Sequence, residues 1–414
     1  MAVLPAATWL VGCGDNQTAD PSDAASAVFE IASDKFLVWV WAAAAGSAVV
    51  RVTDKHTTIQ LADDSGVGVI DITNLTPGQR YTVTIELESG AVLGPHLVRT
   101  APDPGDPVPV RLAVSADYDP HADQFASHVL DGVTMRAPDF FVSIGDFPYT
   151  DNGPAPVTID EFRHRHLAAR THPPLRALHQ ACGCYSIYDD HEFTNNWDAM
   201  CAAANPQRLA TALQAWDEFF PLRAAPPAVR YRNWRWGALV ECFLLDCRLF
   251  RSADAAPDDA TKTMLGAPQL AWFLSALAAS TATFKIIFTS IPLDYTADNN
   301  DDWTSFTHER DQIFEYLLDH DISGVLFISG DQHWFASQSH AYGIREFQVG
   351  PLRRAVGQPP PPVPAVKFRY LGFNAGIIDV SADRVTVFGV GPDTNIFYEE
   401  TLTLAELTPS RPGR

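Results

Sequence analysis

Tyr188-Asp189-Asp190-His191-Glu192 decides how the chain is read. A β-prone run containing Tyr185 and Ile187 stops there at two carboxylates, a histidine and a third carboxylate, with Asn195 and Asn196 close behind. Such a run predicts a strand that delivers its polar end into a site. The alternative is an ordinary acidic turn, because loops are where such residues collect. Two further segments favour the site. Asp139-Phe-Phe-Val-Ser-Ile-Gly145-Asp146 and Gly324-Val-Leu-Phe-Ile-Ser-Gly330-Asp331-Gln332-His333 repeat one design, an apolar strand, then glycine, then a residue of metal-ligand type. Three strands ending this way predict one shared site.

Around these strands the period alternates between strand and helix. Residues 111–116 form a strand running into Asp117-Tyr118-Asp119, and Phe125, Val129 and Val133 then space as one helical face. Leu209, Leu213 and Trp216 mark another helix, and residues 238–245 a strand ending at Asp246-Cys247-Arg248. A helix after Pro268 (Leu270, Phe273, Leu274, Leu277), a strand over 286–290 and a helix around Ile313, Phe314, Leu317 and Leu318 continue the series. Alternating elements imply an α/β sheet covered by helices, with ligands gathered at the carboxyl ends of the strands. Residues 27–100 read instead as short strands separated by turns, an all-β module. Leu75-Thr-Pro-Gly-Gln-Arg-Tyr81 resembles the tyrosine corner of fibronectin type III sandwiches. Ala101-Pro-Asp-Pro-Gly-Asp-Pro107 then predicts a linker, and the module in front of it a spacer or lid. The expected division is a signal and tether over 1–26, a sandwich over 27–104 and a catalytic domain over 105–414.

A chain of 414 residues exceeds what one core usually serves. With 29 basic against 50 acidic residues its net charge is −21, which disfavours nonspecific binding to nucleic acid or to anionic membranes. Leu10-Val-Gly-Cys13 closes a short apolar stretch and resembles a bacterial lipoprotein signal, although it lacks a basic segment in front. That resemblance implies export, a cell-envelope or periplasmic location, and lipid on Cys13 as an anchor to a bacterial membrane. No other stretch reaches the roughly 18 apolar residues of a spanning helix. Of the remaining cysteines, Cys182 or Cys184 linked to Cys201 is one pairing open to an exported protein, while Cys242 and Cys247 read as small buried side chains.

One ordered set of motifs carries a family resemblance: Gly145-Asp-Phe-Pro-Tyr149, Tyr188 to Glu192, Leu245-Asp-Cys-Arg-Leu-Phe-Arg251, Gly330-Asp-Gln-His333 and Glu346-Phe-Gln-Val-Gly-Pro351. Together they resemble the PhoD-type alkaline phosphatases, within the calcineurin-like metallophosphoesterases. The resemblance implies a four-layer sandwich of mixed sheets flanked by helices, preceded by a small immunoglobulin- or fibronectin-like β-sandwich. It implies Asp146 as a carboxylate bridging two metals, Tyr149 as a phenolate on Fe³⁺, Asp190 on the second metal, Asp331 and His333 in the last ligand group, and His191 as general acid. Where the family has a cysteine ligand this chain has Asp117, and Asp119 stands where the wider superfamily has a histidine.

The residue types support phosphoester hydrolysis on their own terms. Attack on phosphorus needs a nucleophile at neutral pH, charge neutralisation and a proton for the leaving alkoxide. A bridging Asp146 and a protonated His191 supply what metals alone lack. Arg248 either offers a planar fork to phosphate oxygens or pairs with Asp246, and Asn195 and Asn196 are further substrate contacts. Asp117, Asp119, Asp146, Tyr149, Asp190 and Asp331 offer oxygen against the one clear nitrogen of His333. Hard cations are therefore expected, Ca²⁺ with Fe³⁺ or with Mg²⁺ or Mn²⁺, in preference to zinc. His164, His166, His172 and His179 read as solvated. The expected substrate is a small phosphate ester, nucleotide-type diesters included, and the expected state a monomer without a nucleic-acid partner. Two alternatives stay open: a diesterase or phospholipase D-like hydrolase acting on envelope polymers or lipids, and a calcium-binding envelope protein without turnover.

Overall fold

The computed structural model describes residues 23–411 apart from 45, 54, 122–127, 225–228 and 298–300, so Cys13 and Phe125 lie outside the described residues. The front module has seven strands, β1 (Ala24–Phe29), β2 (Phe36–Ala42), β3 (Ser47–Val52), β4 (Lys55–Gln60), β5 (Val67–Ile72), β6 (Arg80–Leu87) and β7 (Val92–Arg99). β4-β3-β6-β7 make one sheet, and β1, β2 and β5 face it. The tyrosine corner forms as expected, with the Thr76 N–H donating to Tyr81 Oη at 2.8 Å.

β1, β2 and β5 do not close the module on itself. They are the outer strands of a nine-stranded sheet, β20-β19-β18-β8-β9-β10-β1-β2-β5, in which β1 runs parallel to β10 with Phe29 opposite Cys184. Its other members are β8 (Val110–Ser115), β9 (Phe140–Ile144), β10 (Gly183–Ile187), β18 (Ala375–Val380), β19 (Arg384–Val390) and β20 (Ile396–Thr403). The reading of a spacer on a linker is therefore corrected. Ala101 N–H donates to Ala32 O and Ala238 N–H to Asp106 O, so the Pro-rich segment is bonded to elements on both sides of it. β2 is buried along its whole length because α5 (Pro206–Phe219) covers its second face, with Trp39 Nε1–H donating to Glu218 O at 2.7 Å.

A second, seven-stranded sheet has the order β11-β12-β13-β14-β16-β15-β17. Its strands are β11 (Arg232–Trp236), β12 (Val240–Leu244), β13 (Phe284–Phe288), β14 (Val325–Ser329), β15 (Phe335–Ser339), β16 (Arg345–Gln348) and β17 (Val366–Tyr370). Alternate residues of its central strands serve two cores. Leu244, Ile286, Phe288, Leu326 and Ile328 join the core between the sheets. Phe243, Ile287 and Phe327 instead pack outward on α6 (Gly266–Ala279) and α7 (Thr307–Asp319). With α1 (Val129–Met135), α2 (Ile159–Thr171) and α3 (Pro173–Ala181) on the nine-stranded sheet, the layers run helix, sheet, sheet, helix. A short α4 (Ala199–Ala204) completes the helices. None of the described helices is long and apolar enough to cross a membrane.

One pairing left open by the sequence does not form here, and one side-chain expectation fails. All of the described cysteines are free, and Cys182 and Cys184 are buried in and beside β10. His166 and His179 are buried rather than solvated, because one face of α2 and α3 packs on Phe29, Phe219 and Phe220. His172 holds Tyr118 Oη and Arg353 Nη1.

Candidate functional site

Register places the site. β8, β9 and β10 are parallel neighbours with Ser115 opposite Ser143 and Ser143 opposite Ser186, so the turns that follow them lie side by side. In the second sheet Leu244, Phe288 and Ile328 are likewise in register, which brings the ends of β12, β13 and β14 to the same level. The turns bend back sharply. Asp117, Asp146, Asp331 and His333 have φ of 62°, 55°, 71° and 61°, a region that Asp and His tolerate better than most residues. A Cβ on Gly145 would lie 2.4 Å from Asp189 Cβ, and one on Gly350 would lie 2.2 Å from Asp117 Oδ2, so glycine is what lets these chains approach.

Three donor sets result, each with its atoms within 4.8 Å of one another: Asp117, Asp146 and His333; Asp146, Asp190 and His191; and Asp146, Asp189, Asp190 and Asp331. Asp146 belongs to all of them. Both oxygens of Asp117, Oδ2 of Asp146 and Oδ1 of Asp190 are buried without a hydrogen-bond partner among the described residues. Burial pushes Asp117, Asp146 and Asp331 well above the usual carboxylate range, and the neighbouring carboxylates push them further. Uncompensated buried carboxylates cost several kcal/mol each, so the cluster is built to be neutralised by cations, and its oxygen-rich donors suit hard ones. His333 contributes its nitrogen through a defined tautomer. Nδ1–H donates to Ala355 O at 2.7 Å, leaving Nε2 as the lone-pair atom, and the Tyr149 hydroxyl lies 2.6 Å from it. Burial lowers His333 to about 3, and burial with the Asp146 and Asp117 charges holds the Tyr149 phenol well up.

His191 faces different neighbours. Its backbone N–H donates to Asp146 Oδ1 and its Nδ1–H to Asp151 Oδ1 at 2.7 Å. Burial opposes its charged form, but Asp190 and Asp151 outweigh burial and carry it up to about 9. Asp151 also accepts the N–H of Asn195, and Asp190 that of Asn196, so both asparagines border the cluster.

Three placements differ from the sequence reading. Asp119 joins no donor set among the described residues. Its carboxylate is taken by the Asn152 amide, the His121 N–H and Arg354 Nη1. Arg248 presents no fork to solvent and does not pair with the Asp246 side chain. Its Nε and Nη2 donate to Asp189, its Nη1 donates to Asp301 at 2.5 Å, and Asp246 Oδ1 accepts its backbone N–H instead. Asp189 enters the cluster through its position one residue before Asp190. Glu192 shapes the turn by accepting the N–H groups of Asp146, Phe147 and Asp189.

Comparison with known proteins bears on the fold and the family. The sequence model of the PhoD-like phosphatase family matches residues 122–357. Alkaline phosphatase D of Bacillus subtilis (strain 168) is 27% identical over 239 residues, which span 50% of this chain and 40% of that protein, so the match covers less than half of the relative's length. A solved structure of PhoD superposes with a TM-score of 0.79 at 18% identity, covering 94% of this chain and 90% of that one. The purple acid phosphatase PPD1 from yellow lupin (Lupinus luteus) seeds gives 0.65 at 10% identity, covering 94% and 77%. These two show a common fold, and the family match, which extends over more than half of the chain, settles membership: this protein belongs to the PhoD-like phosphatases.

Proposed function

We propose that the chain hydrolyses phosphate esters, with cations held by Asp117, Asp146 and His333 on one side and by Asp146, Asp190 and Asp331 on the other. The observation that carries this reading is Asp146, shared by every donor set and left with a buried oxygen that has no hydrogen-bond partner among the described residues. Cations held there would supply an activated water and neutralise phosphoryl charge. The chain's own residues do the rest. Asp146 fixes the spacing of the two half-sites. Asp151 holds the His191 ring by Nδ1, so Nε2 is the nitrogen placed to protonate the leaving alkoxide. Tyr149, its ring centroid 4.1 Å from that of His191 and tilted to it, closes the Asp117 half-site and is the residue that would select Fe³⁺ there as a phenolate. Small phosphomonoesters, with diesters as second substrates, are the proposed class. Lipid on Cys13, anchoring an exported monomer, completes the proposal, and loss of membrane fractionation in Cys13→Ser tests it.

The decisive experiment is metal analysis of the purified protein together with monoester and diester assays before and after chelation. Activity is expected to vanish on chelation and to return, at least in part, with Ca²⁺, Mg²⁺ or Mn²⁺. Full activity without metal, or stoichiometric metal without turnover on either ester class, overturns the reading.

A further inference from the structure

With Arg248 committed beneath the cluster, Arg354 is a partly exposed cation beside Tyr149 at the cluster's edge. Its side chain is 24% exposed where that of Arg248 is 0%. The guanidinium carbon lies 4.6 Å from the centroid of the Tyr149 ring, and Nη1 lies 3.4 Å from Asp119 Oδ2. An aromatic face attracts a guanidinium without consuming its N–H donors. Among the described residues only Nη1 is engaged, and at the long end of hydrogen-bond distance.

The segment carrying Arg354 is stitched to the ligand-bearing turns from both sides. Arg353 N–H donates to Asp117 O and Asp119 N–H to Arg353 O, each at 3.1 Å. On the other side Gly357 N–H donates to His333 O at 3.0 Å, and His333 Nδ1–H donates to Ala355 O. Left to itself, an arginine beside this much negative charge would fold into the Asp117 and Asp146 carboxylates. Asp119, fully buried and itself fixed by Asn152 and the His121 N–H, gives it a competing anchor just outside the cluster.

We infer that Arg354 binds the substrate's phosphate group, and that Asp119 is its positioning residue rather than a metal ligand. The inference rests on the phosphoester reading above. A planar fork with spare donors recognises two oxygens of one tetrahedral anion, and its charge offsets repulsion between an arriving phosphate and the carboxylates around it. The aspartate that stands where a ligand was expected has instead become the support of a substrate contact.

The test uses the metal-loaded full chain with Arg354→Gln, Arg354→Lys and Asp119→Asn. It reads KM and kcat on p-nitrophenyl phosphate, the inhibition constant and calorimetric Kd of inorganic phosphate, and metal content. Losing a hydrogen bond to a charged group is worth about 1.5–3 kcal/mol, so Arg354→Gln is expected to raise KM and the phosphate constants about 10- to 100-fold with metal content unchanged. Arg354→Lys should recover part of that, and Asp119→Asn should keep its metal while weakening phosphate by a smaller factor. Phosphate constants within about twofold of wild type in Arg354→Gln overturn the inference. So does loss of a metal equivalent in Asp119→Asn. Should the wild type bind phosphate but hydrolyse no ester, weaker phosphate binding by Arg354→Gln still upholds the contact while the proposed activity falls. The two failures are thus distinguishable.

Discussion

Arg248 donates Nε and Nη2 to the two carboxylate oxygens of Asp189 at 2.6 and 2.7 Å, and these side chains are 0% and 2% exposed. A fully desolvated fork of this kind is weak evidence for net stability, but removing one partner strands the other. Arg248→Met is expected to destabilise the protein by about 3–5 kcal/mol, seen as a lower midpoint in urea. A native midpoint with a raised KM would make Arg248 a substrate contact after all.

Asp146→Asn separates folding from function. The amide keeps the size and the turn while removing the charge shared by the donor sets, so turnover should fall by at least about a thousandfold, as when a main transition-state electrostatic group is lost. Metal content should fall with it, and far-ultraviolet circular dichroism should not change. Wild-type turnover would remove Asp146 from the centre of the mechanism.

The metal-free protein should lose stability as pH rises. Asp117, Asp146 and Asp331 are raised in the folded state, so that state retains protons the unfolded chain releases above its ordinary carboxylate pKa near 3.8. Each such group contributes a slope of about 1.4 kcal/mol per pH unit between its unfolded and folded values, with stability highest on the acid side. Thermal midpoints in chelator should therefore fall between pH 5 and pH 8, and saturating Ca²⁺ should flatten or invert the trend. An unchanged upward trend in chelator would show that the carboxylates are compensated by something other than metal.

His166 gives the opposite sign. Burial lowers it to about 3, and neither ring nitrogen has a hydrogen-bond partner among the described residues. The unfolded histidine takes up a proton near 6.5 and the folded one does not, so stability is complete above that value and drains away toward pH 3. His166→Leu should weaken the acid-side slope by about one proton and raise stability at pH 7 by about 1–3 kcal/mol, since an unsatisfied buried polar group is removed. Equal slopes in urea titrations at pH 4 and pH 6 for the two proteins would contradict this.

What was legible in the sequence followed from strand ends. Asp146, Asp190, Asp331 and His333 each follow an apolar run at the point where the polar residue must turn into a crevice, and parallel register does the rest. Asp119 was misread because it stands, in Asp117-Tyr118-Asp119, where the wider superfamily has a histidine, while its fate depends on Asn152 and Arg354, distant in sequence. Arg354 sits in a Pro-rich loop with no periodicity, and Asp151 in a turn whose only cue is its nearness to Tyr149. His166 hid in a helix whose inward face also carries Arg163 and Arg170, and His179 beside Leu175 and Leu178 on the inward face of α3. Arg170 lies 4.3 Å from the Phe220 centroid and 4.9 Å from that of Phe29, a cation–π pocket that hydrophobic spacing does not register. The shared sheet was invisible because β1 meets β10 across more than 150 residues, while the Pro-rich segment between them resembles a linker.

The left-handed backbone at Asp117, Asp146, Asp331 and His333 narrows what can ever replace these residues. An L-residue with an ordinary Cβ is disfavoured there by about 1–2 kcal/mol, whereas Gly escapes that penalty and Asn, Asp and His are the side chains that bear it most readily. Chemistry aside, drift at these positions is confined to a small alphabet that already consists largely of metal ligands. A lineage that lost the activity would go on displaying Asn, Asp, His or Gly at the same turns, so the motif can outlive the catalysis. Detecting a retired homologue would then fall to the positions with ordinary backbone, such as Tyr149, His191 and Arg354, which are free to change once nothing is hydrolysed.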